Sequence, residues 1–369
     1  MSNRTLKGER KKRAKIKRRK RTVFIILELV VLLVLSVVAY GMTKYDKLDV
    51  LALNEDKLEI YKDIGEYTNI AVFGLDSRDG EIDNSVNSDT IIICSINNET
   101  QDVKLTSVFR DTLLQQEDGS YEKANSAYQQ SVEGAISLLN RNLDLDIKNY
   151  VSVNMNALVD VIDALGGIEV NMTAEEAFYT NGYASETAQI TGKEFVKIKE
   201  EAGSQLLDGC HAVGYTRIRY LSGDDFKRTE RQRFMIDEVI KKAKKANLFT
   251  LNKIVNEVFP QVSTNMDLND ILGYAANLTK FNIVESSGFP YNVTTSDDVY
   301  GHSGDYVIPI GLADNVKQLH QKVFGEDDYQ PSDKVMEIDE DIKDLTGIYE
   351  DTPSVNTEFE RDENNATTQ

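Results

Sequence analysis

The chain has 369 residues, enough for one large domain or two small ones with a sizeable core. Its formal net charge of -19 hides a polarised molecule: residues 1–22 carry 12 Lys/Arg against Glu9, and residues 43–369 carry -29. The two cysteines, Cys94 and Cys210, form no CxxC or Cys/His spacing, which argues against a zinc site and leaves one disulfide open.

Val23–Met42 is nearly all Val, Leu and Ile, with Glu28 as its one charge. At about 1.5 Å per residue it matches a hydrocarbon core of roughly 30 Å, and it ends without the small-residue cleavage site of a signal peptide. The positive-inside rule then leaves residues 1–22 as a cytoplasmic basic tail, suited to anionic lipid, and the large C-terminal part outside. Those basic residues lack a helix-turn-helix or aromatic interleaving, so no nucleic-acid partner is expected. Residues 43–68, with Tyr45–Tyr67 charged throughout, read as a helical stalk.

The folded domain is expected over 69–325. Asn69–Gly74 is an apolar run ending in glycine and reads as a buried strand; Thr90–Asn97 and Val103–Phe109 follow as strands. Ser131–Leu143 and Ala157–Leu165 have helical spacing, the latter stopped by Gly166-Gly167 before a strand at Ile168–Met172. Leu206–Tyr220, Phe226–Ala246 and Leu268–Thr279 are helix-like. Tyr306–Pro309 leads to a last helix, Leu312–Phe324. Strands alternating with helices predict an α/β, layered α-β-α domain around a central mixed sheet. Residues 326–369 read as an acidic disordered tail.

Outside the first 42 residues there are nine arginines, and five of them fall within 17 positions: Arg217, Arg219, Arg228, Arg231 and Arg233. A guanidinium donates parallel hydrogen bonds to phosphate oxygens and keeps its charge, so this window is a candidate anion trap, although such a spacing also describes an ordinary solvated face. Asp225, Arg228 and Gln232 fall at i, i+3 and i+7, one face of a helix. Arg217 and Arg219, at i and i+2, do not share a helical face and would point the same way on a strand, so a strand or irregular segment is expected there. Gly74-Leu-Asp76-Ser-Arg78, Ser88-Asp89-Thr90 and Ser107-Val-Phe-Arg110-Asp111 add acids and arginines at strand ends, where an Asp is also a common turn residue. Carboxylates that hold Mg²⁺ (or Mn²⁺) and arginines that neutralise phosphate are the components of phosphoryl transfer.

With Lys123-Ala-Asn125-Ser-Ala-Tyr128, these motifs occur in the order found in the LytR-CpsA-Psr (LCP) family of Gram-positive cell-wall enzymes, which the chain resembles over roughly 69–325. The resemblance implies a phosphotransferase that moves a glycopolymer, such as teichoic acid or capsule, from a polyprenyl-diphosphate carrier to peptidoglycan. It implies that Asp76 and Asp89 hold the metal and that Arg110, Arg217, Arg219, Arg228 and Gln232 bind the diphosphate. Arg78 and Arg231 would supplement them at the diphosphate, Arg231 and Asp111 as supporting residues, and Arg233 would be a surface charge. Arg110, Arg219 and Asp225 would act in catalysis, Asp225 chiefly by orienting arginines, because nearby positive charge weakens it as a base. Phe109 stands where the family has proline, and Asn87 where arginine is common. An apolar wall for the lipid is sought in Val151–Ile168, at Met155, Leu158, Val161 and Ile162, positions that an ordinary core would equally explain. The alternatives are a protein that binds polyprenyl phosphate without turnover and a membrane-bound regulator of envelope assembly.

Overall fold

The computed structural model describes residues 40–75, 86–219, 224–299 and 301–357, with the side chains of 224 and 225 excepted. The chain divides into two units, Met1–Lys47 and Leu48–Gln369. In the first, residues 40–45 are helical. No helix among the described residues is long and apolar enough to cross a membrane. Positions 23–39 of the expected span lie outside those residues.

The second unit is built on a seven-stranded mixed sheet, in the order β1 (Asp49–Val50), β10 (Val262–Thr264), β7 (Asn149–Asn154), β2 (Tyr67–Leu75), β3 (Ser88–Asn97), β4 (Asp102–Val108), β11 (Asn282–Phe289). β2 runs parallel to β7 and antiparallel to β3, and β3 is antiparallel to β4. The period-2 alternation of a strand explains how the apolar runs are shared between two layers. Ala71, Phe73, Leu75, Ile91 and Ile93 face one core with α2 (Val132–Leu143), α9 (Leu312–Phe324) and α10 (Asp333–Thr346). Ile70, Ile92, Ile96, Val103 and Leu105 face the other, where Ile236 of α6 (Asp224–Lys245) and Ile271 of α8 (Leu268–Asn277) pack. A third cluster joins α3 (Met155–Ala164), α4 (Ala174–Thr191) and α5 (Gly209–Thr216) to α6 through Ile162, Ala177, Ala212, Tyr215 and Met235. The expected α-β-α arrangement is therefore present.

Several local expectations are corrected. Residues 45–67 do not form a helical stalk: beyond β1 and a 3₁₀ turn at Glu55–Lys57 the segment is irregular, and its Leu58 and Ile64 are buried in the first core. Two apolar anchors among charges suffice to hold an extended segment to a domain. Nor is the acidic C-terminal region unstructured. α10 is capped by Ser332, whose hydroxyl accepts from the Val335 N–H, and buries Val335, Ile338 and Ile342 at i, i+3 and i+7. The helix expected over Leu206–Tyr220 is confined to α5, preceded by the strand β9 (Gly203–Leu207). α4 had not been expected, because its buried positions (Ala177, Thr180, Asn181, Ala184, Thr187, Ala188) are small or polar and make no apolar stripe. It starts at a capping box between Thr173 and Glu176. Cys94 and Cys210 are both free thiols, on β3 and α5, and sit in different hydrophobic clusters. Burial pushes the Cys94 thiol up to about 12.

Candidate active site at one edge of the sheet

Because β3 is antiparallel to its neighbours, its N-terminal end lies with the C-terminal ends of β2, β4 and β7 at one edge of the sheet. The motifs at Gly74, Ser88–Thr90, Arg110 and Asn154 are gathered there. Gly74 pairs with Thr90, and a Cβ on Gly74 would stand 2.9 Å from the Thr90 Cβ, so glycine is what allows the two strand ends to close. The edge opens on a cavity of about 450 Å³. Arg110, Arg217, Arg219, Arg228 and Gln232 line it, with Asp89 as the one acidic residue among the described lining. Val153, Met155, Leu158 and Val213 line it as well.

Arg110 follows β4 and is held from both sides. Its Nη1 donates to Asp89 Oδ1 (2.7 Å) and its Nε to Asp111 Oδ2 (3.0 Å). Asp111 is buried and faces Lys123 Nζ at 3.5 Å, and the Asn125 N–H donates to the Arg110 carbonyl (3.0 Å). Lys123 also stands over the Tyr306 ring, whose hydroxyl donates to Glu122. Burial and that carboxylate push the Tyr306 phenol up to about 12, so it remains a neutral donor. Tyr128 donates to Ser152 Oγ on β7 (2.8 Å) and packs on Phe73. The Lys-x-Asn-x-Ala-Tyr segment thus shapes the Arg110 loop and does not itself line the cavity.

Phe109 has a definite role in place of proline. Its ring is buried with Val293 and Val307 and meets Phe226 edge-on at 4.8 Å, tying the Arg110 loop to the first turn of α6. Its N–H donates to the Phe289 carbonyl (2.9 Å), a bond proline cannot make. Gly288 makes room for the ring: a Cβ there would lie 2.5 Å from Phe109 Cζ.

The arginine window separates into distinct parts. Arg217 ends α5 with helical dihedral angles, and the expected irregular segment follows it at 218–219. Arg217 pairs with Glu186 (3.1 Å) and lies 5.3 Å from the Tyr183 ring, while still lining the cavity beside Arg219. The two come together because the chain turns at the end of α5. Arg228 and Gln232, one turn apart on α6, reach the cavity as their spacing predicted, and Arg228 Nη2 approaches the Asp89 carbonyl at 3.4 Å. Arg231 does not line the cavity, and its assignment to substrate is corrected. Its buried guanidinium is engaged by Glu176 Oε1 (3.1 Å), the Ile218 carbonyl (3.3 Å) and the Tyr215 ring. Arg233 is half-buried and so is not a surface charge.

Asp76 and Arg78 lie outside the described residues, as does the side chain of Asp225. Of the four expected wall positions, Met155 and Leu158 line the cavity, Ile162 is buried between helices, and Val161 packs toward Val258 and Val262. Asn154, Tyr183 and Thr216 also line it and had not been singled out. Asn154 at a strand end carried a weak signal; Tyr183, on a helix without an apolar stripe, carried none.

The α-β-α domain thus brings four arginines, a carboxylate and several apolar side chains to one cavity at a sheet edge, an arrangement able to bind an anion. The LytR_cpsA_psr family pattern matches residues 36–320, and the chain belongs to that family. Among curated proteins it is similar to the polyisoprenyl-teichoic acid–peptidoglycan teichoic acid transferase TagU of Bacillus licheniformis, with 28% identity over 69% of this chain and 80% of that one. TagU of Enterococcus faecalis is 29% identical over 67% of this chain and 78% of its own length. Among solved structures, protein gbs0355 of Streptococcus agalactiae superposes with a TM-score of 0.57 at 26% identity, covering 73% of this chain and 90% of that one.

Proposed function

We propose that this protein is a phosphotransferase that moves a glycopolymer from a polyprenyl-diphosphate carrier to a peptidoglycan hydroxyl, anchored by Val23–Met42 with its C-terminal domain outside the membrane. The observation that carries the reading is the cavity itself, in which Arg110, Arg217, Arg219 and Arg228 face one space beside the apolar Val153, Met155, Leu158 and Val213. Cationic and apolar side chains in one cavity are what a diphosphate joined to a lipid requires. The related TagU proteins supply the class of polymer and acceptor by their names.

In this reading the acceptor hydroxyl oxygen attacks the phosphorus attached to the glycan. The bridging P–O bond breaks, polyprenyl phosphate leaves with the electron pair, and the hydroxyl proton passes to solvent. Arg110, Arg219 and Arg228 neutralise the oxygens on which charge builds, an effect strongest where water is excluded. The Asp89 carboxylate fixes Arg110, and Asp225 would orient arginines from the start of α6. No group of three or more His, Cys, Asp or Glu side chains gathers among the described residues. Mg²⁺ needs only one or two carboxylates when phosphates supply its other ligands, so Asp89, together with Asp76, would hold it (or Mn²⁺), and the ion would add positive charge at the diphosphate.

The test is transfer in vitro from a lipid-linked oligosaccharide to peptidoglycan fragments. Arg110→Ala with Arg219→Ala should lower kcat/KM by about 10³-fold or more, given ~10²–10³ per donor in such sites. Full activity of the double variant would overturn the assignment. Asn87, exposed just before Ser88 where the family commonly has arginine, favours the second reading, a carrier-binding protein without turnover. That reading predicts tightly bound lipid and no product in the same assay.

A further inference from the structure

A second surface, at the far end of the helix that carries Arg228 and Gln232, has the character of a membrane contact. α6 is followed by Ala246-Asn247 and by α7 (Leu248–Val258). Asn247 caps α7 by accepting from the Thr250 N–H, so the helix has a defined start. Six of its 11 residues are Leu, Phe, Ile or Val, yet only Val258 is buried. Leu248 and Phe249 are 84% and 80% exposed, the two most exposed large apolar side chains among the described residues. Two adjacent apolar residues so fully in water, at the tip of a well-formed helix, are not explained by the domain's own core.

The surroundings indicate what covers them. Residues 239–256 carry five lysines and no acidic residue, in a domain region whose net charge is strongly negative. Lys241 is tied to Asp237 and Glu238, and Lys242 and Lys244 donate to the Gly167 and Phe281 carbonyls. Those bonds leave the ammonium groups uncompensated on Lys242 and Lys244 by any carboxylate among the described residues, and Lys245 and Lys280 are exposed beside them. An apolar helix tip with a lysine rim is the pattern of an interfacial helix on an anionic bilayer. The tether agrees with this. Leu48, which packs beside Ile254 of α7 and Val258, is six residues from Met42, at most about 20 Å of chain. If Val23–Met42 spans the bilayer, only a short stretch of chain separates it in sequence from the residue that packs on α7.

We propose that Leu248, Phe249, Lys242, Lys244 and Lys245 form a membrane-docking tip, inserted among the headgroups of an anionic lipid leaflet. This docks the domain on the leaflet from which a lipid-linked substrate would be drawn. The proposal rests on the membrane-span reading but not on catalysis, so its test needs no transfer activity. The chain contains no tryptophan, so Phe249→Trp introduces a single one, excited apart from the tyrosines at the red edge of their absorption. The full-length variant is placed in nanodiscs containing phosphatidylglycerol, with plain or brominated acyl chains. Insertion by about 5–10 Å predicts blue-shifted emission, quenched about twofold by the brominated lipid and little by aqueous iodide. Met336→Trp, at a 45% exposed position on α10 in the opposite helical layer, should show the reverse. Leu248→Trp, read in the same way, guards against a folding defect in the first variant. Iodide quenching without bromolipid quenching would overturn the proposal by placing the tip in water. Protection from both quenchers would overturn it by placing the tip against protein.

Discussion

Arg231 offers the sharpest test of how the arginine window is divided. Its guanidinium braces α6 against α4 through Glu176 and against the segment after α5 through the Ile218 carbonyl and the Tyr215 ring. Arg231→Ala would leave Glu176 partly buried without its partner. Breaking a buried pair costs about 3–5 kcal/mol, and the 3.1–3.3 Å contacts with a carboxylate side chain still 17% exposed place this one near the lower end, at about 3 kcal/mol. With an unfolding entropy of ~2.1 cal/mol/K per residue over a domain of about 300 residues, that lowers Tm by roughly 5 °C. Arg228→Ala, in the cavity wall, should instead weaken donor binding with a smaller change in Tm. Thermal melts followed by circular dichroism, together with KM for a lipid-linked donor, separate the two effects. An Arg231→Ala variant with unchanged Tm and a KM raised tenfold would refute the reasoning and return Arg231 to the substrate.

Three further outcomes follow from the packing. Gly288→Ala forces a methyl group against Phe109 and should cost about 1–3 kcal/mol, with Phe109→Leu in the same chain recovering part of the loss in urea unfolding. Ile338→Ala, in the region expected to be unstructured, should destabilise the whole domain by about 2–5 kcal/mol; no change in the urea midpoint would show that α10 is not part of the cooperative unit. Glu59 is held below the usual carboxylate range by hydrogen bonds from Arg141, so its contribution is present above the unfolded value of about 4.3 and is lost as pH falls through the lower folded value. Glu59→Gln should therefore flatten the stability–pH curve below about pH 5 and lower stability at pH 7.

The fold was legible where periodicity and punctuation agreed. Asn69–Gly74 and Thr90–Asn97 are apolar runs that only a buried sheet satisfies, and Gly166-Gly167 stops α3 because both glycines take positive φ. What escaped was structure carried by few or small residues. α4 packs through alanines, threonines and an asparagine, and the 45–67 segment adheres through Leu58 and Ile64 amid charges. α10 follows the same pattern: an acidic composition concealed three apolar residues at helical spacing. Composition averages over a segment, whereas burial depends on which few positions face a neighbour.

For the site, the sequence by itself determined the chemistry: arginines and acids at strand ends, ordered as in one family, with Arg228 and Gln232 on one helical face. The tertiary structure decided which of them share a space. Arg217 and Arg219 meet Arg110 only because α5 ends where β4 ends, and Arg231, three residues from Arg228, is turned away to Glu176. Successive helix residues are turned about 100° apart, so Arg231 faces away from its neighbour Gln232, and arginines of identical chemistry on one helix become ligand and brace.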